Sequence, residues 1–410
     1  MPSAVVVSGL GVVSPHGHDA QAMFQALLRA ESAVQAVFPE LAKPAAAATV
    51  AFDHTPWFSL LQLAGVDRVS QMAVAAADLA LRDAGIGRGS FDPQRVGVYV
   101  GCGMGGATAL EAAYRAGTSG GRVPPLTIPA YMPNAPAAHV AMRNGVQGPV
   151  LSYSVACASA AVALSEAAKA VRCGDLDFAI AGGSEAMLVP GVVTAWQAMQ
   201  TLASFEPGQA ASACRPVASD RSGFVLGEGA SFLILESTAH AHRRGARVRA
   251  QLAGWGLTCD ATHLTKPDVA GQQRAMRAAL NMAGLRPRDV GYCNAHGTAT
   301  KIGDGIENQA LCGLWGNDIT TLRVSSTKAL HGHLLGATGA LEAAITVLAL
   351  QHQQLPPNAH CTRIDPAFGL NLVGSLGEDA PGLQAATSNS FAFGGTNSVL
   401  LFTREPAEAA

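Results

Sequence analysis

Four short stretches of this 410-residue chain set a reactive side chain among small neighbours. Ala156-Cys157-Ala158-Ser159-Ala160 offers a lone thiol. Asn294-Ala295-His296-Gly297-Thr298-Ala299-Thr300 offers an imidazole followed by two hydroxyls. Ser325 to Gly339 carries Lys328, His331 and His333. Asn389 to Asn397 is a glycine-rich run with Phe391 and Phe393 inside it. A cysteine thiolate can take an acyl group from a thioester, and imidazole or backbone N–H groups can stabilise an oxyanion or an enolate. Two histidines suit a reaction in which a carboxylate leaves as CO2 and the resulting enolate must be held. Each stretch also has a plainer reading. Most free cysteines are small buried hydrophobes, and a lone histidine is usually structural. Lys328 reads equally as a solvated loop lysine, and Phe391 to Gly395 as a hairpin turn with two core aromatics.

The thiol is placed by a strand and a helix. Val150 to Ala156 is a short apolar, partly β-branched run, which predicts a buried strand. Ala158 to Val171 is rich in Ala and ends at Cys173-Gly174, which predicts a helix with a glycine stop. Cys157 then lies at the positive end of a helix dipole beside unpaired N–H groups. Both favour thiolate over thiol. His296 follows the apolar run around Tyr292, so it is expected on a loop leaving a parallel strand, in the crevice where α/β proteins bind ligands. Further helices are expected at Ala20 to Arg29, Val69 to Asp83 and about Gly339 to Gln351. Further strands are expected at Ala4 to Val7, Val96 to Val100, Phe178 to Gly183, Ser231 to Leu235, Val248 to Gly254 and Ser398 to Phe402. Lys43 to Ala48 reads as an Ala-rich surface connection, and Arg122 to Pro136 as Pro-rich irregular chain.

Composition narrows the class. With 49% hydrophobic and 14% charged residues, a chain of this length builds a large packed core. A formal net charge of −2 gives no global attraction to nucleic acid or an anionic membrane. The eight cysteines form no C-x-x-C pair, and their scatter suits reduced thiols in a cytoplasmic protein. The N-terminus lacks the basic region and long apolar run of a signal peptide. The uncharged interval Asn144 to Ser165 contains Gln147, Gly148 and Pro149, so it is not read as a membrane helix. Gly101 to Gly106 is out of register for a dinucleotide fingerprint. His331 and His333 lack zincin spacing and no nearby carboxylate completes a ligand set, so no metal site is expected.

The second half of the chain echoes the first. Leu81 to Gly85 returns as Leu280 to Gly284, each followed by an apolar strand containing Val-Gly. Val7 to Gly11 returns as Leu252 to Gly256. The strand, turn and helix around Cys157 return as Val324 to Lys328 and the helix from about Gly339. Three echoes in the same order predict two similar α/β halves packed together, divided as 1–250 with the nucleophilic cysteine and 251–410 with the histidine and lysine loops.

Taken in order, the four stretches resemble those of the β-ketoacyl-acyl-carrier-protein synthases of the thiolase superfamily, in particular the elongating Cys-His-His, synthase II-like type. The resemblance runs from Val5 to the last strand and includes Arg221 to Gly229. It implies an α/β protein with the duplicated αβαβα five-layer thiolase fold. It implies an acyltransferase that forms carbon–carbon bonds by decarboxylative Claisen condensation of an acyl thioester with malonyl-acyl carrier protein, in fatty acid or type II polyketide or polyene-like biosynthesis. Cys157 would be acylated, and His296 and His333 would bind the malonyl thioester and promote its decarboxylation. Lys328 would stand beside them, paired with Glu342. Phe393 would gate the site and give its backbone N–H, with that of Cys157, to an oxyanion hole. Thr298 and Thr300 match positions that contact phosphopantetheine, Phe391 lies in the gate loop, Met104 falls where acyl-pocket depth is tuned, and Trp196 falls where a pocket phenylalanine is usual.

A ring larger than phenylalanine at Trp196 should shorten or reshape the pocket, because packed interiors do not absorb volume freely. Ala392 replaces a usual glycine and should stiffen the gate. Both departures point to a specialised synthase. No cofactor is implied beyond the phosphopantetheine of the carrier protein. The implied partners are that acyl carrier protein, for which Arg243 to Arg249 is a candidate surface, and a second copy of the chain, or alternatively a chain-length-factor-like subunit. His333 argues against a priming synthase, which pairs cysteine with histidine and asparagine. The absence of a second cysteine in the motif loops argues against a thiolase. The remaining alternatives are a non-elongating, chain-length-factor-like partner or an acyltransferase subunit that never decarboxylates.

Overall fold

Gly9 and Gly11 sit within the first strand, Val5–Val13, because a helix backbone lies directly on it. A Cβ on Gly11 would come 2.0 Å from the carbonyl oxygen of Ala76, and one on Gly9 2.3 Å from that of Ala80, both in the helix Arg68–Asp83. The second half repeats the device. A Cβ on Gly256 would meet the Ala275 carbonyl at 1.9 Å and one on Gly254 the Ala279 carbonyl at 2.2 Å, where the helix Val269–Ala283 crosses the strand Ala250–Cys259. The glycine echo in the sequence is thus one packing solution used twice.

The computed structural model describes residues 4–404. Its main sheet has 11 strands. From one edge they run Asn371–Leu372, Arg323–Ser325, Tyr292–Asn294, Ala385–Phe391, Thr396–Thr403, Ala250–Cys259, Val5–Val13, Gly229–Ser237, Phe178–Glu185, Val96–Gly101 and Val150–Tyr153. The halves meet where Val6 pairs with Gln251 and Val7 with Ala250, antiparallel. Helices Ser159–Cys173 and Thr338–His352 pack against strands of both halves, while Arg68–Asp83 and Ala135–Asn144 cover one outer face and Val269–Ala283 and Lys301–Trp315 the other. The order is α, β, α, β, α, the duplicated five-layer thiolase fold. The middle layer explains the composition of its helices. Every residue from Thr338 to Leu350 is buried, so that helix is apolar nearly all round rather than on one stripe.

Two expectations are corrected. Ala45–Ala48 is a fully buried strand, not a surface connection; it pairs with Val34–Val37 and Leu226–Gly227, and alanine is what fits between close backbones. Val150–Tyr153 is a strand, but at the free edge of the sheet, with Val150 and Leu151 exposed. Arg122 to Pro136 is irregular except for the short helix Thr127–Tyr131 and the start of Ala135–Asn144.

Candidate active site

Each functional stretch leaves a strand or opens a helix in the middle of the molecule. Cys157 lies in a single 3-10 turn, Ala156–Ala158, between the edge strand and the helix Ser159–Cys173. His296 leaves the strand Tyr292–Asn294, which pairs in parallel with Arg323–Ser325 and Ala385–Phe391. Those two neighbours lead into the Lys328–His333 segment and the Phe393 loop respectively, so sheet pairing alone brings three of the four stretches together. Three of the four carry a residue other than glycine in the left-handed region: Ala156 (φ 48°) before Cys157, Ala299 (φ 64°) after His296 and Leu335 (φ 40°) after His333. Such conformations cost about 1–3 kcal/mol each and persist where the surroundings over-determine them, typically at functional sites.

The stretches converge. Nε2 of His333 is 3.0 Å from Sγ of Cys157. Ligand atoms of Cys157, His296 and His333 all lie within 4.8 Å of one another, the only such cluster of three His, Cys, Asp or Glu side chains among the described residues. The imidazole rings of His296 and His333 meet edge to face, with centroids 5.5 Å apart, and Phe391 packs edge-on against His296 at 6.0 Å. The backbone N–H groups of Phe393 and Cys157 both point at the sulfur. Lys328 and Glu342 are fully buried and joined at 2.6 Å. The solvated-lysine reading of Lys328 is thereby excluded.

Burial governs the electrostatics. It pushes the Cys157 thiol up to about 11, against the opposing pull of the Lys328 charge and the Phe393 and Cys157 N–H groups. The expected resting thiolate is therefore corrected to a thiol. Cys157 precedes the α-helix in a 3-10 turn, and losing water outweighs the N–H groups and the cation. Burial, reinforced by the Lys328 cation, holds His296 and His333 well below the usual histidine range, so both imidazoles are neutral. A neutral imidazole has one nitrogen to accept a proton and one N–H to donate. The site thus holds a thiol, a base in contact with it, and N–H groups ready for a developing oxyanion.

A cavity of about 420 Å³ opens onto Cys157, His296 and His333. Thr298 and Thr300 line it, as do Trp196, Phe391 and Phe393. Trp196 stands edge-on to Phe224 at 5.4 Å and tilted against Phe393 at 6.3 Å, and Phe224 stands edge-on to His333 at 5.5 Å. Met104 does not line the cavity. Its N–H is drawn to Glu185 Oε1 at 3.0 Å, and the residue is 36% exposed. Arg243 to Arg249 also lies outside the cavity lining, and its charges are in part consumed: Arg244 pairs with Glu236 and Arg249 with Asp83.

Sequence reasoning missed the residues that hold these groups. Glu307 accepts the N–H of His296 at 2.9 Å and of Gly297 at 2.8 Å, fixing the loop. Buried Arg221 binds the carbonyls of Thr300 and Lys301 and pairs with Asp365 at 2.7 Å. Thr338 Oγ1 lies 2.9 Å from His333 Nδ1. Glu185, fully buried, accepts from the N–H groups of Gly103, Met104 and Gly336. Arg221 and Thr338 lie within or beside quoted motifs; Glu307 and Glu185 have no signal beyond a carboxylate in apolar surroundings.

A thiolase-like fold with a Cys-His-His cluster at the bottom of its cavity defines a condensing enzyme. Residues 3–241 match the β-ketoacyl synthase N-terminal domain and residues 249–362 the C-terminal domain. The chain belongs to the β-ketoacyl synthase family, and is an acyltransferase that forms carbon–carbon bonds as a β-ketoacyl-acyl-carrier-protein synthase. It is 40% identical to nodulation protein E of Rhizobium sp. (strain N33), covering 98% of this chain and 99% of that one. It is 35% identical to 3-oxoacyl-[acyl-carrier-protein] synthase 2 of Staphylococcus aureus (strain COL), covering 98% of each. A chain of a solved complex, a type II polyketide synthase acyl-carrier protein with its ketosynthase bound to the hexaketide, matches with a TM-score of 0.91 and 29% identity, covering 99% of this chain and 100% of that one.

Proposed function

We propose that this synthase elongates a restricted set of acyl primers, with Cys157 as the acylated nucleophile and His296 and His333 as the pair that handles malonyl. The 3.0 Å contact between His333 Nε2 and Cys157 Sγ carries the reading. A thiol near 11 is a weak nucleophile until its proton moves, and His333 is the base within reach. As the sulfur attacks the acyl thioester, its proton passes to His333. The carbonyl oxygen gathers charge beside the N–H groups of Phe393 and Cys157. The carrier thiolate then leaves with a proton. Malonyl-carrier protein enters next, and N–H groups of His296 and His333 polarise its thioester carbonyl. CO2 departs, and the enolate carbon attacks the acyl-cysteine carbonyl; the bond from that carbon to Sγ breaks, and the released Cys157 thiolate takes a proton from solvent to return to the thiol. The neutral state of both imidazoles suits donation, and Lys328 helps hold them neutral. This chemistry moves protons and carbon bonds and calls for no cofactor beyond the phosphopantetheine arm; the position of Thr298 and Thr300 on the cavity lining supports their contact with that arm.

Trp196 supports the restriction on primers. It packs between Phe224 and Phe393 on the cavity wall, so a long chain must displace an indole. The intact Cys-His-His cluster speaks against a non-elongating partner. The rim of the cavity suits an acidic carrier protein: Lys266 and Lys301 are exposed there and enter no ion pair among the described residues. For assembly, the exposed edge strand Val150–Tyr153 supports pairing with a second copy. Eight free cysteines support a reducing, cytoplasmic setting. No helix among the described residues is long and apolar enough to cross a membrane.

Intact-mass spectrometry tests the reading. Wild type and Cys157→Ala are incubated with a panel of acyl-carrier proteins, then with malonyl-carrier protein. An acyl mass gain on wild type alone, discharged with release of a β-ketoacyl product, is the expected result. Decarboxylation without any acylation of Cys157 would point instead to a partner or priming subunit.

A further inference from the structure

His333 has two tasks with opposite demands on its protons. To take the thiol proton, Nε2 must present a lone pair, which puts the ring proton on Nδ1. To polarise the malonyl carbonyl, Nε2 must carry the proton, which leaves Nδ1 bare. Whatever faces Nδ1 must therefore accept a hydrogen bond in one step and donate one in the next. A carboxylate or a backbone carbonyl only accepts, and a backbone N–H only donates. A hydroxyl does both by rotating about its C–O bond.

The group facing Nδ1 is a hydroxyl, Thr338 Oγ1, at 2.9 Å. It opens the buried helix Thr338–His352, is 1% exposed, and has no other hydrogen-bond partner among the described residues. Its backbone is fixed by that helix. The His333 backbone is fixed by its N–H on the Val225 carbonyl and its carbonyl on the Gly227 N–H. The hydroxyl hydrogen is thus the free variable in the contact. We propose that Thr338 is a positioning residue that supports both neutral tautomers of His333, letting one imidazole act as base during acylation of Cys157 and as hydrogen-bond donor during decarboxylation. This rests on the condensing reaction assigned above.

The proton count closes. In acylation the bond from the acyl carbon to the carrier sulfur breaks and the bond to Cys157 Sγ forms. The thiol proton moves to Nε2 and then to the departing carrier thiolate, leaving His333 protonated at Nδ1, with Nδ1–H donating to Thr338 Oγ1. While one carrier protein is exchanged for the next, the cavity is open to water. A water gives a proton to Nε2, and Nδ1 gives one up to a second water while the ring turns out of its Thr338 contact toward the open cavity and back. The Thr338 hydroxyl rotates, donates to bare Nδ1, and holds the ring with Nε2–H toward the malonyl oxygen.

Thr338→Val keeps the shape and removes the hydroxyl. It leaves Nδ1 buried without a partner. A buried N–H without an acceptor is costlier than an unfilled lone pair, so the variant favours the Nε2–H tautomer. The two half-reactions should respond unequally. Single-turnover acylation of Cys157, followed by intact mass, should slow by about tenfold or more, while CO2 release from malonyl-carrier protein should fall by less than about threefold. Thr338→Ser should restore acylation to within about threefold of wild type, since it restores the hydroxyl. Thermal unfolding of all three proteins distinguishes a folding defect. Thr338→Val acylating at the wild-type rate, both half-reactions falling equally, or Thr338→Ser failing to recover with a wild-type melting temperature would each overturn the proposal. Absence of acylation in wild type would instead overturn the assignment of Cys157, a separate result.

Discussion

Nζ of Lys328 lies 2.6 Å from Oε1 of Glu342, and neither side chain has any exposed surface. The pair spans the end of one catalytic loop and the middle-layer helix behind it. Burial pushes the Glu342 carboxyl up to about 7 even though the lysine opposes it. Removing one member of such a pair strands a charge. Lys328→Ala should therefore destabilise the fold by about 3–5 kcal/mol in denaturant titration. Replacing both members with apolar residues of similar volume, Lys328→Met with Glu342→Leu, should recover most of that stability. The double variant should still fail to condense, because His296, His333 and Cys157 lose the cation that shifts all three. Recovery of activity along with stability would show that the pair is purely structural.

Glu185 gives the clearest pH signature. It is fully buried, and burial raises its carboxyl from 4.5 to about 7 although three N–H groups favour the charged form. The folded protein thus holds this proton more tightly than the unfolded chain does. Its contribution to stability is fully present below 4.5 and is lost as pH rises through about 7. Glu185→Gln cannot lose that proton. The difference in melting temperature, variant minus wild type, should increase as pH rises from 4.5 to about 7. A difference constant over that window would show that Glu185 titrates normally. His296, His331 and His333 act in the opposite sense in both proteins, because burial lowers them and their contribution is lost as pH falls below 6.5; they cancel in the comparison.

How much of this was legible in the chain depends on the scale at which each residue is specified. Cys157, His296, Lys328 and His333 stand out because small residues surround them and their loops need close approach. The paired glycines at Gly9 and Gly11 and at Gly254 and Gly256 announce helices pressed on strands, so the duplication was readable too. The edge position of Val150–Tyr153 was not, because an apolar run reads the same whether a strand is flanked on two sides or on one. Ala45–Ala48 was misread for the related reason that alanine suits both loops and crowded strands. The protonation of Cys157 was misjudged because a helix dipole is visible in sequence and desolvation is not. Glu185 becomes functional only through partners far along the chain, meeting Gly103 and Gly336 across two loops, and Thr338 only because the turn between it and His333 brings its hydroxyl onto the ring.

Trp196 should govern primer length. Its indole is wedged against Phe224 at 5.4 Å and Phe393 at 6.3 Å, so it contacts both the wall behind His333 and the gate loop. Trp196→Phe should free space in the cavity, and Trp196→Ala more. Each methylene newly accommodated in an apolar pocket is worth about 1–3 kcal/mol in discrimination. The ratio of kcat/KM for a long primer over a short one should therefore rise by about tenfold or more in Trp196→Ala. Efficient elongation of long straight-chain primers by the wild type would contradict the wedge.

The free edge of the main sheet should be where two chains meet. Val150 is 37% exposed and Leu151 44% exposed on a strand whose outer side has no strand partner among the described residues. Leu110, Tyr114, Ile128 and Met142, from the segments next to that edge in the chain, are also exposed. An unprotected apolar edge strand is a liability that proteins cover with charge, proline or another strand, and Val150–Tyr153 holds none of the first two. Leu151→Lys places a charge on the edge without touching the core, and Met142→Glu does so on the adjoining helix. Each variant should move the protein from dimer to monomer in light scattering after size-exclusion chromatography, at micromolar concentration. Far-ultraviolet circular dichroism should stay unchanged, because neither residue is buried within the chain. A wild type that runs as a monomer, or variants that remain dimeric, would place the interface elsewhere. A wild type that dimerises only when mixed with an unlike ketosynthase-fold chain would make this edge the seat of a heterodimer.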